Sequence, residues 1–262
     1  MAGIGESLTL RPDGDGRWLA HADPDHQSIT GMFGGWTAGV LLGAVTRTAE
    51  STAMPSAMTV NYVGAVPPGD DVVVTVEHLG GGRSINQWRA DMRPTTEDTL
   101  LATAVVALTS RRPSTPHQQL RMPDAPDPDS LERVYAPSPQ GLNSDLRHAS
   151  GMWDYESGDS RDCMWVRDAA GGPLDHLQLA YLADQYAPRS FYFGGGPGPS
   201  ATITMSVYFH ATADEIAAVG DDFILNEATG TRGEHSTSGQ QANLWRRDGT
   251  LLVTSEQLCW YR

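Results

Sequence analysis

The chain has 262 residues, enough to bury one large hydrophobic core or two moderate ones. Its composition of 39% hydrophobic and 19% charged residues is typical of a globular protein, and no apolar run is long enough to predict a membrane span. The net charge of −14 argues against nucleic acid or an anionic membrane surface as a partner. Because no membrane span is predicted and the N-terminus lacks a basic stretch followed by an apolar one, we expect a cytoplasmic protein.

The first half of the chain predicts one long helix followed by a four-stranded antiparallel meander. Residues 6–22 predict an opening strand and a turn. From Trp36 to about Ala49, apolar residues recur at helical spacing on a single face. Strand patterns separated by glycine-rich and polar turns then cover residues 57–63, 71–79, 84–92 and 99–110.

Residues 112–150 interrupt this pattern, because prolines recur there among Asp, Ser and Gln, as is typical of a linker or a surface excursion. A second helix follows, which we expect Pro173 to open in its first turn and which is apolar nearly all round. Strands are predicted before and after this helix, over residues 151–155, 164–167, 201–210, 222–230, 236–246 and 250–261.

The same sequence landmarks occur in both halves of the chain. Gly69-Asp70-Asp71 recurs as Gly220-Asp221-Asp222, and the similar segments 99–103 and 250–254 follow them at the same distance. A repeat this long indicates two duplicated sub-domains rather than a stack of short repeats. We assign residues 1–111 to an N-terminal repeat, 112–150 to the linker and 151–262 to a C-terminal repeat.

A long helix followed by a curled antiparallel sheet, present twice, resembles the double hot-dog fold of the α+β class. More narrowly, the chain resembles the thioesterase-like superfamily that includes acyl-CoA thioesterase II. The stretches that carry this resemblance are Met32-Phe33-Gly34-Gly35, Pro173-Leu174-Asp175 with Leu182-Ala183-Asp184, Thr204–His210, and 244–258. The resemblance implies that the protein hydrolyses acyl-CoA thioesters to free acid and CoA. Because a double unit resembles two fused subunits of a hot-dog dimer, we leave open that the chain forms a homo-oligomer.

Hydrolysis of a thioester needs a polarised carbonyl group. The free backbone N–H groups at the start of the first helix, at Gly34, Gly35 and Trp36, could face the developing oxyanion. Glycine would let a substrate approach the backbone closely. The alternative is that these glycines serve tight packing of the helix.

The reaction also needs an activated water, for which the resemblance implies an Asp, a Thr and a Gln. When the sequence is aligned on Phe209 and His210, the Asp position is occupied by Thr204, and Thr231 and Gln257 take the other two positions. A threonine hydroxyl cannot act as a general base near neutral pH. Gln257 could orient a water through its amide, and the alternative for Gln257 and Thr231 is a purely structural role.

Two further residues are candidates for contact with the substrate. Asp184 lies in an otherwise apolar helix, where an unpaired carboxylate would be costly to bury, so it is either paired or lines a polar cavity. His210 ends a strand and could serve as a base, although a lone histidine is more often structural.

Two other functions remain open at the level of sequence. Because Thr204 replaces the expected acid, the chain could be a non-hydrolytic protein that binds acyl-CoA or another small molecule. It could also be a hot-dog enzyme with other chemistry, such as a dehydratase or an isomerase, although the Asp-x-Asn-Pro-x-His pattern of hydratases does not occur. We expect no cofactor and no metal, and we expect Cys163 and Cys259 to be buried as small hydrophobic residues without a disulfide.

Overall fold

The computed structural model describes residues 3–151, 155 and 158–262. Within them, the helices are α1 (Ile4–Ser7), α2 (Gly34–Ala49), α3 (His176–Leu182), α4 (Ser190–Phe193) and α5 (Ala213–Ala217). The strands are β1 (Arg11–Pro12), β2 (Arg17–His21), β3 (Met54–Tyr62), β4 (Asp71–Gly81), β5 (Ile85–Pro94), β6 (Ala102–Thr109), β7 (Arg133–Val134), β8 (Ser144–Ser150), β9 (Asp162–Asp168), β10 (Ser200–Phe209), β11 (Ile224–Glu234), β12 (Thr237–Arg246) and β13 (Leu251–Tyr261).

These strands form one antiparallel sheet, in the order β1-β2-β4-β5-β6-β3-β10-β13-β12-β11-β9-β8-β7. The two halves of the sheet meet where β3 pairs with β10, with Asn61 opposite Thr204. On one side of this junction the order is β3-β6-β5-β4, and on the other side it is β10-β13-β12-β11, so each half repeats the other. The predicted α+β double hot-dog fold is therefore confirmed.

Helices α2 and α3 pack against each other in opposite directions. A Cβ atom added at Gly35 would collide with the carbonyl oxygen of Tyr181, and one added at Gly39 would lie 3.2 Å from the carbonyl oxygen of Leu177. The two glycines therefore let the helix backbones approach closely. This packing places the first turn of α2 beside the last turn of α3.

Two predictions need correction, the opening strand near the chain start and the start of the second helix. Residues 6 and 7 lie in α1 rather than in a strand, and the Trp36 indole N–H donates to the Ser7 carbonyl oxygen at 3.0 Å. Pro173 is not in the first turn of α3, which begins at His176. The helix begins there because the Asp175 side chain caps it, accepting a hydrogen bond from the Gln178 amide at 2.8 Å.

The proline-rich segment 112–150 lies against the second repeat and contributes two strands to it. The Gln118 side chain bonds the backbone of the β12–β13 turn, donating to the Gly249 carbonyl oxygen and accepting from the Leu251 amide at 2.9 Å each. Strand β8 pairs with β9, where Leu146 lies opposite Val166.

Several smaller expectations can be compared with this fold. Cys163 and Cys259 are buried and free, as predicted. Of the strand predicted over residues 151–155, residues 152–154 lie outside the described part of the chain. Within the part that is described, no helix is long and apolar enough to cross a membrane.

Candidate active site

A cavity of about 510 Å³ opens where the first turn of α2 meets the chain that follows α3. This volume is within the range of small-molecule sites. Gly34, Asp184 and Thr202 contribute polar groups to its wall. The apolar part of the wall includes Met32, Phe33, Leu146, Met164 and Phe191.

Asp184 lies just beyond the end of α3, and its carboxylate faces the start of α2. Its Oδ1 atom accepts a hydrogen bond of 2.6 Å from Gln257 Nε2, and the carboxylate also accepts one from the Gly35 backbone amide. A Cβ atom added at Gly34 would lie only 2.7 Å from Oδ2, so glycine at this position allows the helix start to approach the acid. The positive end of the α2 dipole favours the charged form of the carboxyl.

Burial has the opposite and larger effect on Asp184. Removal from water raises the pKa of the Asp184 carboxyl to about 7, although the hydrogen bonds from Gln257 and Gly35 oppose this rise. A carboxyl that titrates near neutral pH can take up and release a proton during one reaction cycle.

Gln257 on β13 connects Asp184 to two further polar side chains. While its Nε2 donates to Asp184, its Oε1 accepts from the Thr202 hydroxyl at 3.2 Å and from Gln240 Nε2 at 3.0 Å. Gln257 and Gln240 are both buried, so these bonds are protected from competition by water.

The structure brings four of the predicted site residues together: Gly34, Gly35, Asp184 and Gln257. For Asp184, both alternatives hold, since the carboxylate is paired and also lines the cavity. The Gly35 amide differs from the expectation because it donates to Asp184 rather than facing a substrate carbonyl. Gly35 also serves the tight helix packing that was its alternative reading.

Thr204 and Thr231 are not part of this arrangement. The Thr204 hydroxyl donates to the Val60 carbonyl oxygen at 3.0 Å, across the strand pair that joins the repeats. Thr231 is exposed at an irregularity of β11, where its side chain lies over Gly239. Neither threonine is among the described residues that line the cavity.

Trp36 and His210 are also placed away from the cavity. Trp36 is completely buried in the core, and its indole N–H donates a hydrogen bond to the Ser7 carbonyl oxygen in α1. His210 is exposed beyond the end of β10, where its ring bonds the Thr254 hydroxyl at 3.0 Å. Among the described residues, the cavity wall includes neither Trp36 nor His210, so the structure does not bring either residue to the candidate site.

Sequence reasoning missed Thr202 and Gln240. Thr202 precedes Thr204 by two residues, and a shift in the β10–β13 register between them separates their environments. Gln240 could have been noticed, because it occupies the buried set of alternating positions on β12, with Ala242 and Leu244.

The arrangement can be compared with known families. The family model for the acyl-CoA thioesterase N-terminal domain matches residues 22–111, and that for the C-terminal domain matches residues 116–261. The chain belongs to the acyl-CoA thioesterase family. It is a thioester hydrolase, and the predicted family resemblance is thus confirmed. No curated protein matches its sequence.

Solved structures show the same fold as this thioesterase. A hot-dog protein of unknown function from Alicyclobacillus acidocaldarius is 29% identical, with a TM-score of 0.93 and coverage of 99% of this chain and 97% of that one. A tesB protein of Mycobacterium avium subspecies paratuberculosis is 22% identical, with a TM-score of 0.81 and coverage of 99% and 98%. The acyl-CoA thioesterase II TesB2 of Mycobacterium marinum is 18% identical, with a TM-score of 0.78 and coverage of 99% and 98%.

Proposed function

We propose that this thioesterase hydrolyses acyl-CoA to free acid and CoA, with Asp184 as the general base. The observation that carries the proposal is the position of Asp184 on the wall of a largely apolar cavity, held there by Gln257 and by the start of α2. A pKa of about 7 suits this carboxyl to proton transfer near neutral pH. The apolar wall formed by Phe33, Leu146 and Met164 fits an acyl chain.

In this mechanism the Asp184 carboxylate takes a proton from a water molecule as the water oxygen attacks the thioester carbonyl carbon. The negative charge that develops on the carbonyl oxygen is stabilised by the positive end of α2, whose first residue, Gly34, lines the cavity. When the carbon–sulfur bond breaks, the thiolate takes the proton from Asp184. The products are a carboxylic acid and CoA, and Asp184 is again a carboxylate.

Gln257, which is buried behind Asp184, and Thr202, which lines the cavity, support this chemistry. Gln257 holds the carboxylate by donating to it, and the Thr202 hydroxyl bonds the Gln257 carbonyl oxygen at the point where Thr202 reaches the cavity. The hypothesis of non-hydrolytic binding was motivated by Thr204 at the expected acid position. Asp184 removes that motivation, because it supplies a carboxylate at the cavity.

The test compares Asp184→Asn with Asp175→Asn. Both change an aspartate at an end of α3, but asparagine caps a helix as well as aspartate does, so the second variant retains the cap. We expect Asp184→Asn to lower kcat/KM by about 10²–10⁴-fold, measured as CoA release with a thiol reagent across short, medium and long acyl-CoAs. Asp175→Asn is expected to remain within about twofold of the wild type.

Two results would contradict the proposal. One is a folded wild-type protein that releases no CoA from any chain length. The other is an Asp184→Asn variant that keeps wild-type kcat/KM, since this would place the base elsewhere.

A further inference from the structure

We infer that Gln240 is a positioning residue that fixes the direction in which the Gln257 amide donates, so that its NH₂ group faces Asp184. This inference rests on the proposed function only in taking Asp184 as the group that reacts. Gln240 itself does not touch Asp184, and it acts through Gln257.

The starting point is a backbone amide whose role is unambiguous. The Arg189 N–H donates to the side-chain oxygen of Gln240 at 3.0 Å. A backbone N–H can only donate, so the Gln240 atom that faces it must be the acceptor, Oε1. The other end of the same amide, Nε2, must then face Gln257.

The orientation of the Gln240 amide in turn sets the orientation of the Gln257 amide. Gln240 Nε2 lies 3.0 Å from Gln257 Oε1, and Gln257 Nε2 lies 2.6 Å from Asp184 Oδ1. If the Gln257 amide were reversed, its oxygen would oppose the Asp184 carboxylate and its NH₂ would oppose that of Gln240. Thr202 cannot set the direction, because a hydroxyl both donates and accepts.

The Arg189 amide is itself held rigidly. The Arg189 side chain is completely buried, and its Nη1 lies 3.0 Å from Asp162 Oδ1 at the start of β9. The same nitrogen donates to the Ser160 carbonyl oxygen at 2.9 Å, and the Tyr192 hydroxyl donates to Asp162 at 2.8 Å. A buried ion pair with these additional bonds fixes the chain between Asp184 and α4, and with it the amide that orients Gln240.

The test compares Gln240→Met with Gln241→Met. Gln241 is the next residue on β12, but it is exposed and bonds Glu256 at 3.0 Å, so it provides the same substitution outside the site. In Gln240→Met the Gln257 amide is free to rotate, the Asp184 carboxylate loses a fixed donor, and its pKa rises by about 0.5–1 unit. The lower limb of the pH profile of kcat/KM should move by the same amount.

The Asp184 carboxyl is also titrated directly by carbon NMR, with Asp184→Asn to assign its resonance. This NMR titration does not require turnover, so it tests the inference even if acyl-CoA is not the substrate. An unchanged Asp184 titration in folded Gln240→Met overturns the inference, as does an equal shift in Gln241→Met.

A measurement on the wild-type protein covers the case in which Gln240→Met does not fold. The side-chain amide protons of Gln257, identified by their loss in Gln257→Val, should shift along with the Asp184 titration. If they do not respond to that titration, the Gln257 NH₂ group does not face the carboxylate and the inference is wrong.

Discussion

The two repeats share a strand order, but a facing pair of residues that is polar in the second repeat is replaced by Trp and Val in the first. In the second repeat, Gln240 on β12 lies opposite Gln257 on β13. At the corresponding place in the first repeat, Trp88 on β5 lies opposite Val106 on β6. The backbone frame is therefore shared, while at this facing pair the two glutamines that hold Asp184 in place occur in the second half.

The helices of the two repeats differ as well. Helix α2 runs for 16 residues, whereas α3 ends after 7, and Asp184 follows its end. Because the helices are antiparallel neighbours, the first repeat supplies the helix start and the second supplies the acid and its partners. The site therefore needs both repeats.

The difference between the repeats is tested most strongly by replacing Gln257 with valine, the residue at the corresponding position of the first repeat. We expect Gln257→Val to lower kcat/KM by about 100-fold, because Asp184 loses its side-chain donor and its carboxylate is no longer fixed. CoA release under subsaturating substrate measures this effect. Leu258→Val, at the exposed neighbouring position, is the matched control and should be nearly silent. Wild-type activity in Gln257→Val would mean that the polar pair is irrelevant to the reaction.

The reverse substitution, glutamine for valine at position 106 of the first repeat, should lower the free energy of unfolding without creating a second active site. Val106 is completely buried, so Val106→Gln places an amide in an apolar region. We expect the free energy of unfolding to fall by about 2–3 kcal/mol in urea titrations, with no gain in activity. Val105→Gln, at an exposed neighbouring position, should change it by less than about 0.5 kcal/mol. An equal loss in both variants would show that burial does not separate these positions.

The sequence was sufficient for the fold, because the repeated landmarks and the strand patterns survive in both halves. It also selected Asp184, since a carboxylate in a predicted apolar helix needs a partner or a cavity, although the structure places Asp184 just beyond the end of that helix. Counting along the strand selected Thr204, but counting does not reveal register shifts, and one lies between Thr202, which lines the cavity, and Thr204, which does not. The partners of Gln257 depend on pairing between distant strands, which a single sequence does not specify.

The burial of Asp184 should also appear in the pH dependence of stability. Its folded pKa, about 7, lies above its ordinary value of 3.8, so the folded protein binds more protons than the unfolded chain between these values. Wild-type stability therefore falls relative to Asp184→Asn as the pH rises through this window. Since Asp184 is partly open to the cavity, we expect a relative change on the order of 1–2 kcal/mol.

Thermal and urea unfolding of both proteins at several pH values between about 4 and 8 measure this change. Any cost of asparagine that does not depend on pH cancels in the comparison. A stability difference that stays constant over the whole window would show that Asp184 titrates at its ordinary value when the protein is folded.

The smallest predicted effects distinguish the roles of Thr202 and Thr204, two threonines of β10. The Thr202 hydroxyl bonds Gln257 at the cavity, whereas that of Thr204 bonds the Val60 carbonyl oxygen where the repeats join. Thr202→Val should therefore lower kcat/KM by about 3–10-fold with little loss of stability, because one neutral hydrogen bond to the site is removed. Thr204→Val should instead lower the free energy of unfolding by about 1 kcal/mol and leave kcat/KM within about twofold. If the two variants exchanged these effects, the polar group important for catalysis would lie at the junction of the repeats rather than on the cavity wall.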